Sequence, residues 1–153
     1  MKAADLVEPY PTVRLDTPVS AAAHLLTEHN RPALVVVDGD DHPLAIMPAS
    51  KVLRFVVPGY LQDDPALARV LDDDFAETAY AELDTKTVGD LLPRDRPKLL
   101  VARPEDNLLE IACLMVAEDA PLVAVVEGRG KHAPMIGAIT AARVLAGVIP
   151  GRA

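Results

Sequence analysis

The stretch Ala120–Leu145, APLVAVVEGRGKHAPMIGAITAARVL, decides the fold because Arg31–Leu53, RPALVVVDGDDHPLAIMPASKVL, repeats it. Pro32 answers Pro121, and the apolar runs Ala33–Val37 and Leu122–Val126 share an offset of 89 residues. Asp38-Gly39 answers Glu127-Gly128 at the same offset. After a three-residue insertion, Leu44–Leu53 answers Ile136–Leu145 at an offset of 92. One structural unit is used twice.

Upstream the repeat continues. Val19, Ala22, Ala23 and Leu26 fall at i, i+3, i+4 and i+7, the apolar stripe of an amphipathic helix. Their partners at the same 89-residue offset, Leu108, Ile111, Ala112 and Met115, form the same stripe. Thr17 and Asp106 precede the two helices as expected N-caps, and Pro18 has a φ already suited to a helix start. The continuous apolar runs read as buried strands, Leu44–Met47 and Met135–Ile139 as return strands, and Pro48 and Ala141 as helix openings, with Val52, Leu53 and Val56 facing inward from the first. Thr12–Leu15 and Leu99–Ala102 are short candidate strands, and residues 3–8 and 88–92 are matching helical lead-ins.

Each repeat is therefore strand, helix, strand, strand, helix, and at roughly 60 residues neither buries its apolar faces alone. The expected class is α/β of the α+β kind, two βαββα repeats packed sheet to sheet about a pseudo-twofold axis. Residues 1–60 form the first repeat and 87–153 the second, with 61–86 an acidic insert. Eight acidic residues and one base, Arg69, fall within Asp63–Asp84. A helix is expected from Asp64-Pro65, with Leu67, Val70 and Leu71 as its apolar stripe. The segment reads either as a solvated connector or as a docking surface for a basic partner.

Composition narrows the function. The net charge of −8 opposes general binding to nucleic-acid phosphates, and two Phe, three Tyr and no Trp give no base-stacking platform. The single Cys113 forms no internal disulfide, no run approaches the roughly 20 apolar residues of a membrane span, and the first residues lack the apolar core of a signal peptide. The expectation is a cytoplasmic protein. His24, His29, His42 and His132 show no metal-ligand spacing with Cys113 or one another, so no metal site is expected. No carboxylate pair or nucleophile elbow points to catalysis.

The doubled unit, ending in Gly137-Ala138-Ile139-Thr140-Ala141-Ala142-Arg143, resembles the cystathionine-β-synthase (CBS) domain, and the tandem resembles a Bateman module. The resemblance implies a regulatory module without catalysis that binds adenosine-containing ligands such as AMP, ADP, ATP or S-adenosylmethionine in the cleft between repeats. It also implies pairing of chains into flat discs. The family's ribose contact is Thr or Ser, two residues, then Asp at the start of the last helix. Thr140 matches the first position but Arg143 replaces the Asp, and the first repeat has Pro48 and Lys51 there. A carboxylate bonded to ribose hydroxyls contributes about 1.5–3 kcal/mol, so its loss weakens that mode of binding roughly ten- to a hundredfold. The replacements are equivalent cations in the first turns of equivalent helices, where free N–H groups favour anions. Lys51 and Arg143 read either as phosphate ligands or as ordinary surface cations. By the same resemblance Ala33 and Leu122 are expected to line the cleft with backbone atoms, and Arg31 is a further phosphate candidate. Two functions stand: a nucleotide or anion sensor, or a ligand-free homodimeric module that docks another protein. A homodimer is expected in either case, because the helical apolar stripes exceed what one sheet layer covers.

Overall fold

The computed structural model describes residues 1–57, 59–69, 74–96 and 98–151. Within the first repeat, β1 (Thr12–Val13), α2 (Val19–Glu28), β2 (Ala33–Val37), β3 (Pro43–Pro48) and α3 (Ala49–Val56) follow a short helix α1 (Ala3–Leu6). Between α3 and the second lead-in come α4 (Gly59–Asp63), a 3-10 turn over Pro65–Arg69 and α5 (Phe75–Thr85). Then come α6 (Val88–Leu91), α7 (Leu108–Glu118), β4 (Leu122–Val126), β5 (Met135–Thr140) and α8 (Ala141–Val148).

The strands pair as the repeat requires. β2 runs parallel to β1 and antiparallel to β3, while β4 is antiparallel to β5. The pairing Val35↔Ile46 has its counterpart in Ala124↔Ala138, and the register shifts after Val36 in one ladder and after Val125 in the other. Of the expected strand Leu99–Ala102 only Ala102 pairs, in a parallel bridge to Val125.

Alternation along the two central strands builds three cores. Leu34 and Val36 face the helices of the first repeat with Val19, Ala22, Leu26, Met47 and Val52. Val123 and Val125 do the same in the second with Ile111, Met115, Ile139 and Val144. The other faces, Ala33, Val35 and Val37 against Leu122 and Ala124, meet between the sheets. The helical stripes are buried as their spacing demands, with one correction in α3. Val52 points inward but Leu53 is 62% exposed, as is its counterpart Leu145 at 60%, so these leucines lie on outer faces.

The lead-in helices cross over. Ala3 and Leu6 of α1 complete the core of the second repeat, and Val88 of α6 completes that of the first. Matching backbone bonds hold them: Ala3 N–H to Asp106 O at 2.8 Å and Val88 N–H to Thr17 O at 2.8 Å. Each lead-in also closes its first turn on a carboxylate, with Lys2 N–H donating to Asp5 and Thr87 N–H to Asp90, both at 2.9 Å.

Two local expectations are corrected. Thr17 and Asp106 do not cap the following helices; they close equivalent turns before them, accepting from Arg14 N–H at 2.9 Å and Arg103 N–H at 2.8 Å. Asn107 caps α7, its Oδ1 accepting from Glu110 N–H at 2.9 Å while Glu110 accepts from Asn107 N–H at 2.7 Å. A helical turn does begin at the expected Asp64-Pro65, but it is the 3-10 turn Pro65–Arg69; the insert's longer helix runs from Phe75 and packs on α2, where Ser20 Oγ donates to Asp84 at 3.0 Å and the His24 and Tyr80 rings meet edge to face at 6.2 Å. Val70 and Leu71 of the expected stripe, with Asp72 and Asp73 of the acidic run, lie outside the described residues, as does Pro58. Among the described residues no helix is long and apolar enough to cross a membrane.

Candidate functional site

Between the repeats the paired sheets leave a cleft of about 210 Å³, walled by Ala45, Ile46, Pro48 and Lys51 on one side and by Leu92, Pro93, Arg96 and Glu118–Pro121 on the other. It adjoins a wider space of about 580 Å³ that shares Ile46, Pro48 and Lys51 and adds Arg54 and Gln62. Lys51 stands in the first turn of α3, where Pro48 ends β3 and starts the helix. Arg96 arrives on the loop after α6, which the crossover of lead-ins carries onto the first repeat. Cations from both halves of the chain thus face one space, while Glu118 Oε1 accepts from Leu100 N–H at 3.3 Å. Asp119, in the left-handed conformation at φ 48°, turns the chain out of α7 into this wall. Its repeat counterpart, Asn30, makes the same turn at φ 51°.

The residues singled out in the sequence are placed unequally. Lys51 lines the cleft. Thr140 caps α8, its Oγ1 accepting from Arg143 N–H at 3.3 Å. Arg143 is turned onto the N-terminal segment, where Nε donates to the Leu6 carbonyl at 3.3 Å and lies 3.5 Å from a Glu8 carboxylate oxygen. Ala33 and Leu122 are buried between the sheets. The Ala33 carbonyl accepts from the Tyr10 hydroxyl at 2.5 Å, and the Arg31 guanidinium lies over the Tyr10 ring, 5.1 Å from its centre. Burial pushes the Tyr10 phenol upward, partly opposed by the Arg31 charge. Lys51 and Arg143 are therefore equivalent in sequence but differently engaged.

Nothing local in the sequence marks Arg96 as a site residue, because its place against Lys51 follows only from the lead-in crossover. A second grouping was invisible to residue spacing because it joins two hairpin tips. Asp38, Asp40 and His132 bring one ligand atom each to within 4.8 Å of one another, with Asp40 and His132 exposed. His42 Nδ1 meets the Ala133 carbonyl at 2.8 Å beside them, and Met135 N–H donates to Asp41 O at 2.9 Å. Burial works to raise the Asp38 carboxyl, but the N–H groups of Asp40 and His42 outweigh it, helped by the two imidazoles, and hold Asp38 below the usual carboxylate range.

A family model for the CBS domain matches residues 3–58. A CBS domain-containing protein of unknown function from Kribbella flavida is 42% identical over 97% of this chain and 98% of its own, with a TM-score of 0.81. The CBS domain of a CBS domain-containing membrane protein from Sphaerobacter thermophilus is 25% identical over 95% of this chain and 86% of that one, with a TM-score of 0.69. The CBS-pair protein CBSX2 from Arabidopsis thaliana is 22% identical over 96% and 93%, with a TM-score of 0.71, and CBSX2 has been crystallised in complex with AMP. No curated protein matches the chain.

Proposed function

The chain belongs to the CBS-domain family as a tandem CBS pair, and from that premise we propose a non-catalytic regulatory module that binds an adenosine-containing nucleotide or related anion beside Lys51. Occupancy passes to a protein partner by shifting the population of shapes the module presents. Structures of this fold carry AMP in CBSX2, and 5′-methylthioadenosine with S-adenosylmethionine in the CBS pair of MJ0100, which makes an adenosine ligand the first class to test. The observation that carries the reading is the pairing of Lys51 with Arg96, from opposite halves of the chain, on the walls of one cleft. Lys51 lies at the start of α3, where free backbone N–H groups favour a negative charge as well. The cleft alone is smaller than the usual small-molecule site of about 300–1,000 Å³, so the adjoining space with Arg54 belongs to the same ligand.

Calorimetric titration with AMP, ATP, S-adenosylmethionine and NADH at two salt concentrations tests this. Saturable heat that weakens with salt, and an affinity roughly ten- to a hundredfold lower in Lys51→Ala, is expected for a charge-assisted contact. Heat unaffected by Lys51→Ala would move the ligand elsewhere.

A second reading, a ligand-free dimeric interaction module, rests on the outer faces of α7 and α8. Leu109 and Val116 are 73% and 81% exposed, and Leu145 and Val148 are each 60% exposed. Both readings place the protein in the cytoplasm as a homodimer joined through these helices.

A further inference from the structure

The tandem should contain two equivalent clefts, yet the two are built differently at each matching position. Around the second one, which would lie beside Thr140 and Arg143, the N-terminal segment is already seated. Glu8 N–H donates to Ala138 O and Ala138 N–H donates to Glu8 O, both at 3.0 Å, so Glu8 extends the second sheet by one rung. The approach is so close that a Cβ on Gly137 would run into the Glu8 carbonyl and come within 2.7 Å of Val7 Cγ2. Arg143 reaches back to Leu6 and Glu8. Tyr10 sits against the inter-sheet core with its hydroxyl on the Ala33 carbonyl and Arg31 over its ring.

Each of these contacts is disabled on the other side. In the lead-in correspondence that matches Ala3 with Val88, Glu8 is matched by Pro93, which has no N–H to give. Gly137 is matched by Ala45, whose Cβ stands where the chain would have to pass. Tyr10 is matched by Leu99, which has no hydroxyl, and Arg31 by Ala120, which has no guanidinium. Four extra residues, Arg94-Asp95-Arg96-Pro97, follow Pro93 in sequence, and Arg96 lines the cleft instead. Among the described residues no bridge joins Ile46, the counterpart of Ala138, to the 92–96 segment, and Ile46 lines the cleft. No described side chain donates to the Leu122 carbonyl, the counterpart of the acceptor that Tyr10 fills.

We propose that the tandem is divided in function: the cleft beside Arg143 is permanently occupied by the chain's own Glu8 and Tyr10, and the cleft beside Lys51 and Arg96 takes one external ligand per chain. The external ligand carries a negative charge for Lys51 and Arg96, the cations that line the open cleft. This rests on the nucleotide reading above and sharpens it to a single site that does not involve Arg143.

The test combines calorimetry with hydrogen exchange. With AMP and ATP, the wild-type chain should bind one ligand per chain. Lys51→Ala/Arg96→Ala should weaken binding at least tenfold, and Arg143→Ala should leave stoichiometry and affinity within twofold. Ala45→Gly/Pro93→Glu restores the residues that close the other cleft and should abolish binding in a protein with native circular dichroism. Two ligands per chain, or a loss in Arg143→Ala as large as in the double cation variant, overturns the division. Exchange in the ligand-free protein tests the closure without any nucleotide. The Glu8 and Ala138 amides should be protected and the Ile46 amide should exchange at least tenfold faster; equal protection overturns the closure. Absence of heat from both nucleotides, together with unequal exchange, would refute the nucleotide reading and leave the closed cleft standing.

Discussion

Gly137→Ala should unfasten the N-terminal segment while leaving the rest of the second sheet paired. The added Cβ meets the Glu8 carbonyl and Val7, with backbone on one side of the contact, so a rotamer change does not relieve it. Accommodation requires Glu8 to withdraw, which removes both of its 3.0 Å bonds with Ala138 and strains the Arg143 contacts to Leu6 and Glu8. Two backbone bonds contribute about 1 kcal/mol each, and overpacking against fixed backbone adds about 1–3 kcal/mol. A loss of about 3 kcal/mol lowers the Tm of a chain this size by roughly 10 °C. The assay is urea and thermal denaturation followed by circular dichroism, with hydrogen exchange at Glu8 and Ala138. Ala45→Gly is the control, since it changes the counterpart position where no chain is seated; it should cost only the roughly 0.5–1 kcal/mol of a glycine in a strand. If Gly137→Ala falls within about 0.5 kcal/mol of wild type with the Ala138 amide still protected, the close approach has been misjudged and the closed cleft with it.

Asn107→Ala removes a cap bonded to Glu110 in both directions and should destabilise by about 1 kcal/mol, read as a lower urea midpoint with an unchanged slope. Asp38 is held below its usual range, so in the folded state it binds its proton less readily than in the unfolded chain. Its contribution is therefore complete above the unfolded carboxylate pKa of about 3.9 and disappears as pH falls through the lower folded value. Asp38→Asn should flatten the acid limb of the stability curve in that window, measured by denaturation between neutral pH and pH 2. Val116→Glu/Leu145→Asp should convert a dimer into a monomer in sedimentation at tens of micromolar without loss of circular dichroism; a wild-type monomer at that concentration would refute the dimer.

Much of the fold was legible because it is written twice. The continuous apolar run Ala33–Val37 and the helical stripe Val19-Ala22-Leu26 need no partner to be recognised, and both recur at one offset. The insert helix was recognisable from its composition, but its start was not, because α5 is positioned by Ser20 and His24 of another helix rather than by its own first residues. The crossover was hidden for a similar reason. α1 and α6 are four-residue apolar turns of the same pattern, and nothing local says which core Ala3 or Val88 enters. The candidate site inherits that limit. Lys51 was identifiable as a cation at a helix start. Arg143 carries the same local signature, yet its contacts come from Leu6 and Glu8, more than 130 residues away in the chain. Arg96 reaches the cleft only because the lead-in before it crosses over.

The crossover also governs how the protein forms during synthesis. When the first repeat has emerged from the ribosome, the place for Val88 in its core is empty, and α1 has nothing to pack on, since Ile111, Val123 and Val144 have not yet been made. The first repeat completes its interior only when α6 is available, and the second only when α8 is. Contacts this distant in sequence slow folding, because the chain must close long loops before it gains their energy. The result is a nascent chain whose first half closes once α6 emerges, while α1 waits for the second half to be made. A stop codon anywhere before α8 therefore leaves Ala3 and Leu6 without Val144 beside them, and the damage extends to the opposite end of the chain.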